Sequence, residues 1–230
     1  AKGGFDVALA GLTKLYSATG SAQTITNGID LASKGGLVWI KPRNANHHLL
    51  WDTERGISKS LATSNANNDE DVTNGYGITS FNSDGFSLGT NWSGENYSGH
   101  TSTISAWTFQ KAPGFFDVVK YTGTGASQEI SHSLESTPGC IIIKSLGTGD
   151  WFVSHKDLDN WDKHMFLNKP DAAAGAGWVG NVTSTSFKVY RINDLSAYGQ
   201  DYIAYLFADD NPGVIKCGKA SSTEVVNCDF

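Results

Sequence analysis

The sequence predicts an all-β protein, organised as two tandem antiparallel β-sandwich repeats of about 100 residues each. Three observations carry this. The chain repeats itself. Its apolar residues fall in short β-branched and aromatic runs. Gly, Asn, Asp, Ser and Pro gather between those runs, and no helical period runs through them.

The repeat is read by laying Tyr16 on Tyr121, an offset of 105 residues. YSATGSAQTI then lies over YTGTGASQEI, and Thr19/Thr124, Gly20/Gly125, Gln23/Gln128 and Ile25/Ile130 coincide. A two-residue gap changes the offset to 103 and aligns Leu31/Leu134, Gly36/Gly139, Ile40/Ile143 and Lys41/Lys144. Further on, GFSLG around Phe86 matches SFKVY around Phe187, and ISAWTFQKAPG (104–114) matches IAYLFADDNPG (203–213). The expected units are therefore residues 5–114 and 115–214. Residues 215–230 read as the start of a third repeat or a C-terminal strand, since VIKCGKASSTEVVNCDF echoes VVKYTGTGASQEISHSL.

In the second copy the strands follow in order: DVVKYTG, SQEISHSL, CIIIKSL, WFVSHKD, KHMFLN, SFKVYRI and DYIAYLFAD. Phe187 and Val189 alternate with Lys188 and Tyr190, the period of a half-buried strand. Seven or so strands at about 12-residue spacing suit a sandwich. DAAAGAG (171–177) has too many glycines for a helix and reads as a loop. Five apolar pairs should be core positions: Ile25/Ile130, Leu31/Leu134, Ile40/Ile143, Phe86/Phe187 and Phe109/Phe207. Trp39 and Trp107 sit in apolar runs and are expected in cores as well.

Composition excludes several functions. Seventeen Lys+Arg against 23 Asp+Glu give a net charge of −6, which suits neither a nucleic-acid binder nor an anionic-membrane binder. No apolar run approaches the roughly 20 residues of a spanning helix. No signal-peptide pattern is visible. The chain opens AKGG and its one methionine is Met165, so its start has been removed or it is a piece of a longer chain. Cys140 is expected as a buried free thiol within CIII. Cys217 and Cys228 are left open between a bridge and free thiols, and no cysteine has zinc-site spacing.

Three strings carry a family resemblance: GLVWIKPRNANHHLLWDTERG (36–56), ITSFNSDGFSLG (78–89) and AWTFQKAPGFFDVVKYTGTG (106–125). They resemble an uncharacterised repeat domain of virion proteins in tailed phages of marine and aquatic bacteria, cyanophages included. The resemblance implies a virion setting in a tail-fibre-like or capsid-appendage protein. By analogy it also implies a concanavalin- or laminin-G-like jelly roll. It supplies no catalytic residues.

Candidate chemistry is sparse. A glycan hydrolase of the concanavalin type needs two carboxylates facing one groove. The nearest acids are Asp69, Glu70 and Asp71 in NNDEDV, which reads as a solvated loop and offers a calcium candidate through hard oxygen ligands. His47 and His48 near Asp52 and Glu54, and His155 and His164 near Asp157, lack a convergent third ligand. Trp92 and Tyr97 in LGTNWSGENYSG, and Trp161 in DLDNWDKH, are loop-borne aromatics suited to stacking on sugar rings or anchoring an interface. The NWS, NYS and NVT triplets at 91, 96 and 181 fit the glycosylation pattern, at the frequency such a composition produces by chance.

The expected function is a structural and adhesion module of a phage virion. It acts through assembly with other virion proteins or copies of itself, as a homo-oligomer, and through surface or glycan binding. No enzymatic activity, cofactor, catalytic residue, nucleic acid or membrane insertion is expected. The competing expectation is a secreted concanavalin-like polysaccharide-active enzyme.

Overall fold

The computed structural model describes residues 10–43, 48–67, 69–71, 75–90, 103–175, 177–190 and 192–220. The chain divides into two compact units. One holds Ala1–Ser64 and Asp69–Ala112, the other Asn65–Asn68 and Pro113–Phe230. Among the described residues the secondary structure is nearly all antiparallel β, with two four-residue helices.

In the first unit the strands are β1 (Gly11–Ser17), β2 (Gln23–Thr26), β3 (Gly36–Pro42), β4 (Leu49–Asp52), β5 (Lys59–Ala62), β6 (Glu70–Asp71), β7 (Ile78–Asn82), β8 (Gly85–Leu88) and β9 (Thr103–Gln110). They form a six-stranded sheet, β1-β9-β3-β4-β5-β6, and a three-stranded sheet, β2-β8-β7. Helix α1 (Leu31–Lys34) links β2 to β3. It starts where the Asp30 carboxylate caps the Ser33 N–H at 3.0 Å. The core joins both sheets: Tyr16, Val38, Ile40, Trp51, Ile104 and Ala106 from one face Ile25, Ile78, Phe86 and Leu88 from the other.

The second unit holds β10 (Phe116–Thr122), β11 (Gln128–Ser131), β12 (Pro138–Ser145), β13 (Trp151–His155), β14 (His164–Phe166), β15 (Val179–Gly180), β16 (Ser186–Val189), α2 (Ile192–Leu195) and β17 (Asp201–Ala208). A short hairpin of β18 (Asp210–Asn211) and β19 (Ile215–Lys216) follows. The sheets are β10-β17-β12-β13-β14 and β11-β16-β15. With β6 set aside, the strand order within this unit is that of the first: first, last, third, fourth and fifth in one sheet, and the remaining three in the other. Its core is Tyr121, Ile141, Ile143, Phe152, Tyr202 and Ala204 against Ile130, Val179, Phe187 and Val189.

The pleat explains which residues are inside. In β3, Val38 and Ile40 face the core, so Trp39 lies on the opposite face beside its ladder partner Trp107, ring centroids 5.9 Å apart. Both tryptophans are half-buried on that outer face, which corrects the expectation that they fill the core. Of the five apolar pairs, the first four are buried in both members. Phe109 and Phe207 are half-buried, because each neighbours a core-facing residue on its strand and so points outward. Cys140 is a free thiol, as expected, but half-buried, since core-facing Ile141 turns it to the outer side. Cys217 is also free, and Cys228 lies outside the described residues. Residues 171–175 of DAAAGAG are a loop, tied to β14 by a bridge between His164 and Ala174.

The glycine near the start of each third strand has a steric reason. A Cβ on Gly36 would sit 2.1 Å from the Phe109 carbonyl oxygen, and one on Gly139 would sit 2.5 Å from Cys217 Cβ and 2.8 Å from Asp209 Cα. Backbone approaches this close admit no side chain.

Candidate functional site

In the second unit a cleft of about 530 Å³ is lined by three separate segments. Asn160, Trp161 and Asp162 come from the turn after β13. Gly177, Val179, Gly180, Asn181 and Val182 run through β15. Tyr190 stands at the end of β16. Trp161 is half-buried, packing against the unit's core while it lines the cleft. Tyr190 is 39% exposed, and its backbone N–H donates to the Trp178 carbonyl at 2.9 Å. Lys188 Nζ lies 5.3 Å from the Tyr190 ring centroid. Gly180 lets that ring approach the strand: a Cβ there would lie 2.9 Å from Tyr190 Cε2.

The backbone on both walls is unusual. Asp159, Asn160 and Trp161 have φ of 55°, 53° and 71°, three consecutive non-glycine residues in the left-handed region. Asn181, on the facing segment, has φ of 45°. Asp and Asn tolerate this conformation, because their short polar side chains bond locally; a tryptophan does not, and each such residue costs about 1–2 kcal/mol. The turn closes with the Asp162 N–H on the Asp159 carbonyl at 3.1 Å and the Lys163 N–H on the Leu158 carbonyl at 3.1 Å. Lys163 also pairs with the Asp159 carboxylate at 2.8 Å, which holds that carboxyl below its ordinary range. Strain of this kind persists where the surrounding structure fixes it, and it clusters at ligand clamps.

A second cavity, of about 240 Å³, lies between the β12–β13 turn and the segment from α2 to β17, and Asp150, Asp194, Asn193 and Gln200 line it. Burial pushes the Asp150 carboxyl up, but hydrogen bonds from Lys169 and Asn168 outweigh this and hold it below the usual carboxylate range. A general acid needs the opposite shift.

The remaining candidates fare differently. Trp92, Tyr97 and His47 lie outside the described residues, as do the triplets at 91 and 96. Glu70 and Asp71 form the edge strand β6 against β5, which corrects their reading as loop, and Asp69 lies 3.9 Å from Lys59. Among the described residues no group of three His, Cys, Asp or Glu is placed to hold a metal ion. Asp52, read beside the histidines, instead pairs with Arg55. His48 packs near Trp39, and His164 is buried among Phe152, Phe166 and Trp178, stacked on Trp178 at 3.9 Å. His155 accepts the Asp157 N–H on Nδ1 at 3.0 Å, and burial, the largest influence, lowers its pKa.

Of the cleft residues the sequence singled out Trp161 as a binding candidate, and Asn181 only through the NVT triplet. Asn160, Asp162, Asn181 and Tyr190 join it through tertiary structure, and no spacing rule connects them. The one local signal was the pair of glycines, Gly177 and Gly180, beside apolar strand residues.

The class defined by these features is an all-β protein of two antiparallel sandwiches, with an aromatic and amide-lined cleft in the second. The chain belongs to the family described as Domain of unknown function (DUF7483), whose match runs over residues 12–226 and so across both units. Searches of curated proteins and of solved structures found no match.

Proposed function

We propose that the chain is a structural and adhesive module of a tailed-phage virion, a segment of a tail-fibre-like or capsid-appendage protein. It acts by assembling with other virion proteins or copies of itself and by contacting surfaces or glycans, without catalysis. The observation that carries this reading is the use of two sandwiches with one strand order in a single chain, joined by a turn at residues 113–115. What recurs between the units is scaffold: ladder positions such as Ile25 opposite Phe86 and Ile130 opposite Phe187, and the glycines at 36 and 139. Repeating a scaffold gives length and multivalency, which adhesion exploits.

Peptide mass spectrometry on purified virions tests it. Peptides of this chain should be recovered at structural-protein abundance, and their absence from intact particles sinks the reading. The enzyme alternative is tested on algal and bacterial polysaccharides. Hydrolysis that disappears on replacing Asp150 and Asp194, or Asp69, Glu70 and Asp71, with alanine would establish it instead.

A further inference from the structure

We infer that the cleft between the 159–162 turn and β15 is a binding site for a neutral, hydroxyl-rich oligosaccharide, with Trp161 as its platform. The inference deepens the adhesive part of the proposed function and rests on that part alone.

Four observations converge on it. The volume, about 530 Å³, falls within the roughly 300–1,000 Å³ of small-ligand sites. The lining combines two aromatic rings, Trp161 and Tyr190, with amide and carboxylate groups from Asn160, Asp162 and Asn181. A pyranose presents the same two chemistries: a C–H face that packs on a ring, and a rim of hydroxyls that both donate and accept. An amide offers a donor and an acceptor at once, and a carboxylate accepts from two hydroxyls. Among the described residues, none that lines the cleft is cationic. Asp162 on the wall and the net charge of −6 oppose an anionic sugar, which would require arginine or lysine.

Preorganisation is the fourth. A flexible loop would lose conformational entropy on binding, and that loss subtracts from affinity. Here three successive left-handed residues present Trp161, Asn181 has its own left-handed backbone, and Trp161 packs against the core. The ordering is completed on folding. Hydrogen bonds within the turn, from the backbone N–H groups of Asp162 and Lys163, hold it in shape before any ligand arrives.

The test uses the whole chain, labelled with nitrogen-15, and a panel of neutral hexasaccharides: β-1,4-glucan, α-1,4-glucan, β-1,3-glucan, β-1,4-mannan and β-1,4-xylan. Polyuronate and sulfated galactan fragments serve as charged controls. At least one neutral member should shift the Trp161 indole signal and the side-chain amides of Asn160 and Asn181. Asp162→Ala and Asn181→Gly, the glycine keeping the left-handed backbone at 181, should each weaken that binding about tenfold, the equivalent of one hydrogen bond, with little change in melting temperature. Trp161→Ala should abolish it. Three outcomes overturn the inference: no neutral member shifts these signals, the two polar variants bind as the parent does, or the charged fragments bind as tightly. Cleft signals that move only with protein concentration would assign the surface to self-association and overturn it too. Virion peptides found without sugar binding would leave the proposed function standing. Sugar binding without virion peptides would do the reverse.

Discussion

The connection after β4 in the first unit and the one after β13 in the second begin alike and end differently. Each follows the fourth strand of its unit. Each starts with a backbone N–H donating to the carbonyl of the glycine near the start of the third strand: Thr53 to Gly36 and Lys156 to Gly139, both at 3.0 Å. In each, the last strand residue caps the turn with its side chain, Asp52 Oδ1 accepting the Arg55 N–H at 2.9 Å and His155 Nδ1 the Asp157 N–H at 3.0 Å. From there the first unit closes. Arg55 bonds the Asp52 carboxylate at 2.7 Å and the carbonyls of Leu50 and Lys59, with both side chains 1% exposed or less. The second unit runs instead through its left-handed turn and stays open around Trp161. One corner secures a buried charge pair, and the other forms a cleft.

The largest way to break this contrast is Asp52→Ala. It leaves a guanidinium buried and unpaired, and such losses run to about 3–5 kcal/mol. Hydrogen exchange read by mass spectrometry should show protection falling across β3, β4 and β5 while β12 and β13 keep theirs. Replacing Asp52 and Arg55 together by apolar residues of similar volume should recover much of the loss; equal damage in the double variant would show that the pair itself stabilises the corner.

Conservative truncations at corresponding ladder positions sharpen the likeness instead. Ile25 and Ile130 are both buried, at 5% and 6% exposure, and each faces a fully buried phenylalanine. Ile25→Val and Ile130→Val should each cost about 0.5–1.5 kcal/mol in chemical denaturation. Costs differing by more than that range would show that the two cores respond differently.

Acid should separate the units more gently. His132 and His155, both in the second unit, have pKa values lowered from 6.5, with burial the largest cause. Asp117 partly offsets this at His132; Asp157 and Asp209 oppose it at His155, where Lys156 adds to it. Each Nδ1 accepts a backbone N–H, from Leu134 at 3.3 Å and from Asp157 at 3.0 Å, so each ring serves in its neutral form. The unfolded chain binds these protons first. Their stabilisation is therefore complete above 6.5 and declines as pH falls from there through the lowered folded values. In the first unit Asn27 Oδ1 takes the role of His132, accepting the Ile29 N–H at 3.0 Å. Protection factors, taken against the intrinsic exchange rate at each pH from 7.5 to 5, should fall in β11, β13 and β16 before β2, β4 and β8. Imidazole titrations at or above 6.5 in the folded chain would contradict this.

The smallest effect is expected of Gly180→Ala. The added carbon meets the far end of the Tyr190 ring, which can move, so stability should change by about 0.5 kcal/mol or less. Tyr190 signals should shift while the melting temperature holds.

Much of the scaffold could be read directly. Strands announced themselves because β-branched runs alternate, and the sequence pairing of Ile25 with Ile130 and of Phe86 with Phe187 reappears in their ladders. Gly36 and Gly139 stood out by recurring, and the close backbone approach explains the recurrence. Faces were harder. Trp39 and Trp107 looked like core because they are large and apolar, but pleating sends them outward, and only the register reveals that. The Asp52–Arg55 pair was illegible as a buried pair, because a charge at a strand end reads as solvated until its partner is placed. The cleft was illegible for a related reason: residues 160–162, 177–182 and 190 meet only once β13, β15 and β16 are folded.

The two-residue strand β6 has a consequence for how the protein behaves in a crowd. It ends the first unit's larger sheet, and its residues are Glu70 and Asp71, preceded by Asp69. An uncovered sheet edge is a template on which another strand can add, the first step toward aggregates. Two copies meeting at this edge would bring acidic residues together, and like charges opposite one another are unfavourable. A short strand of acidic residues at a sheet margin disfavours such addition.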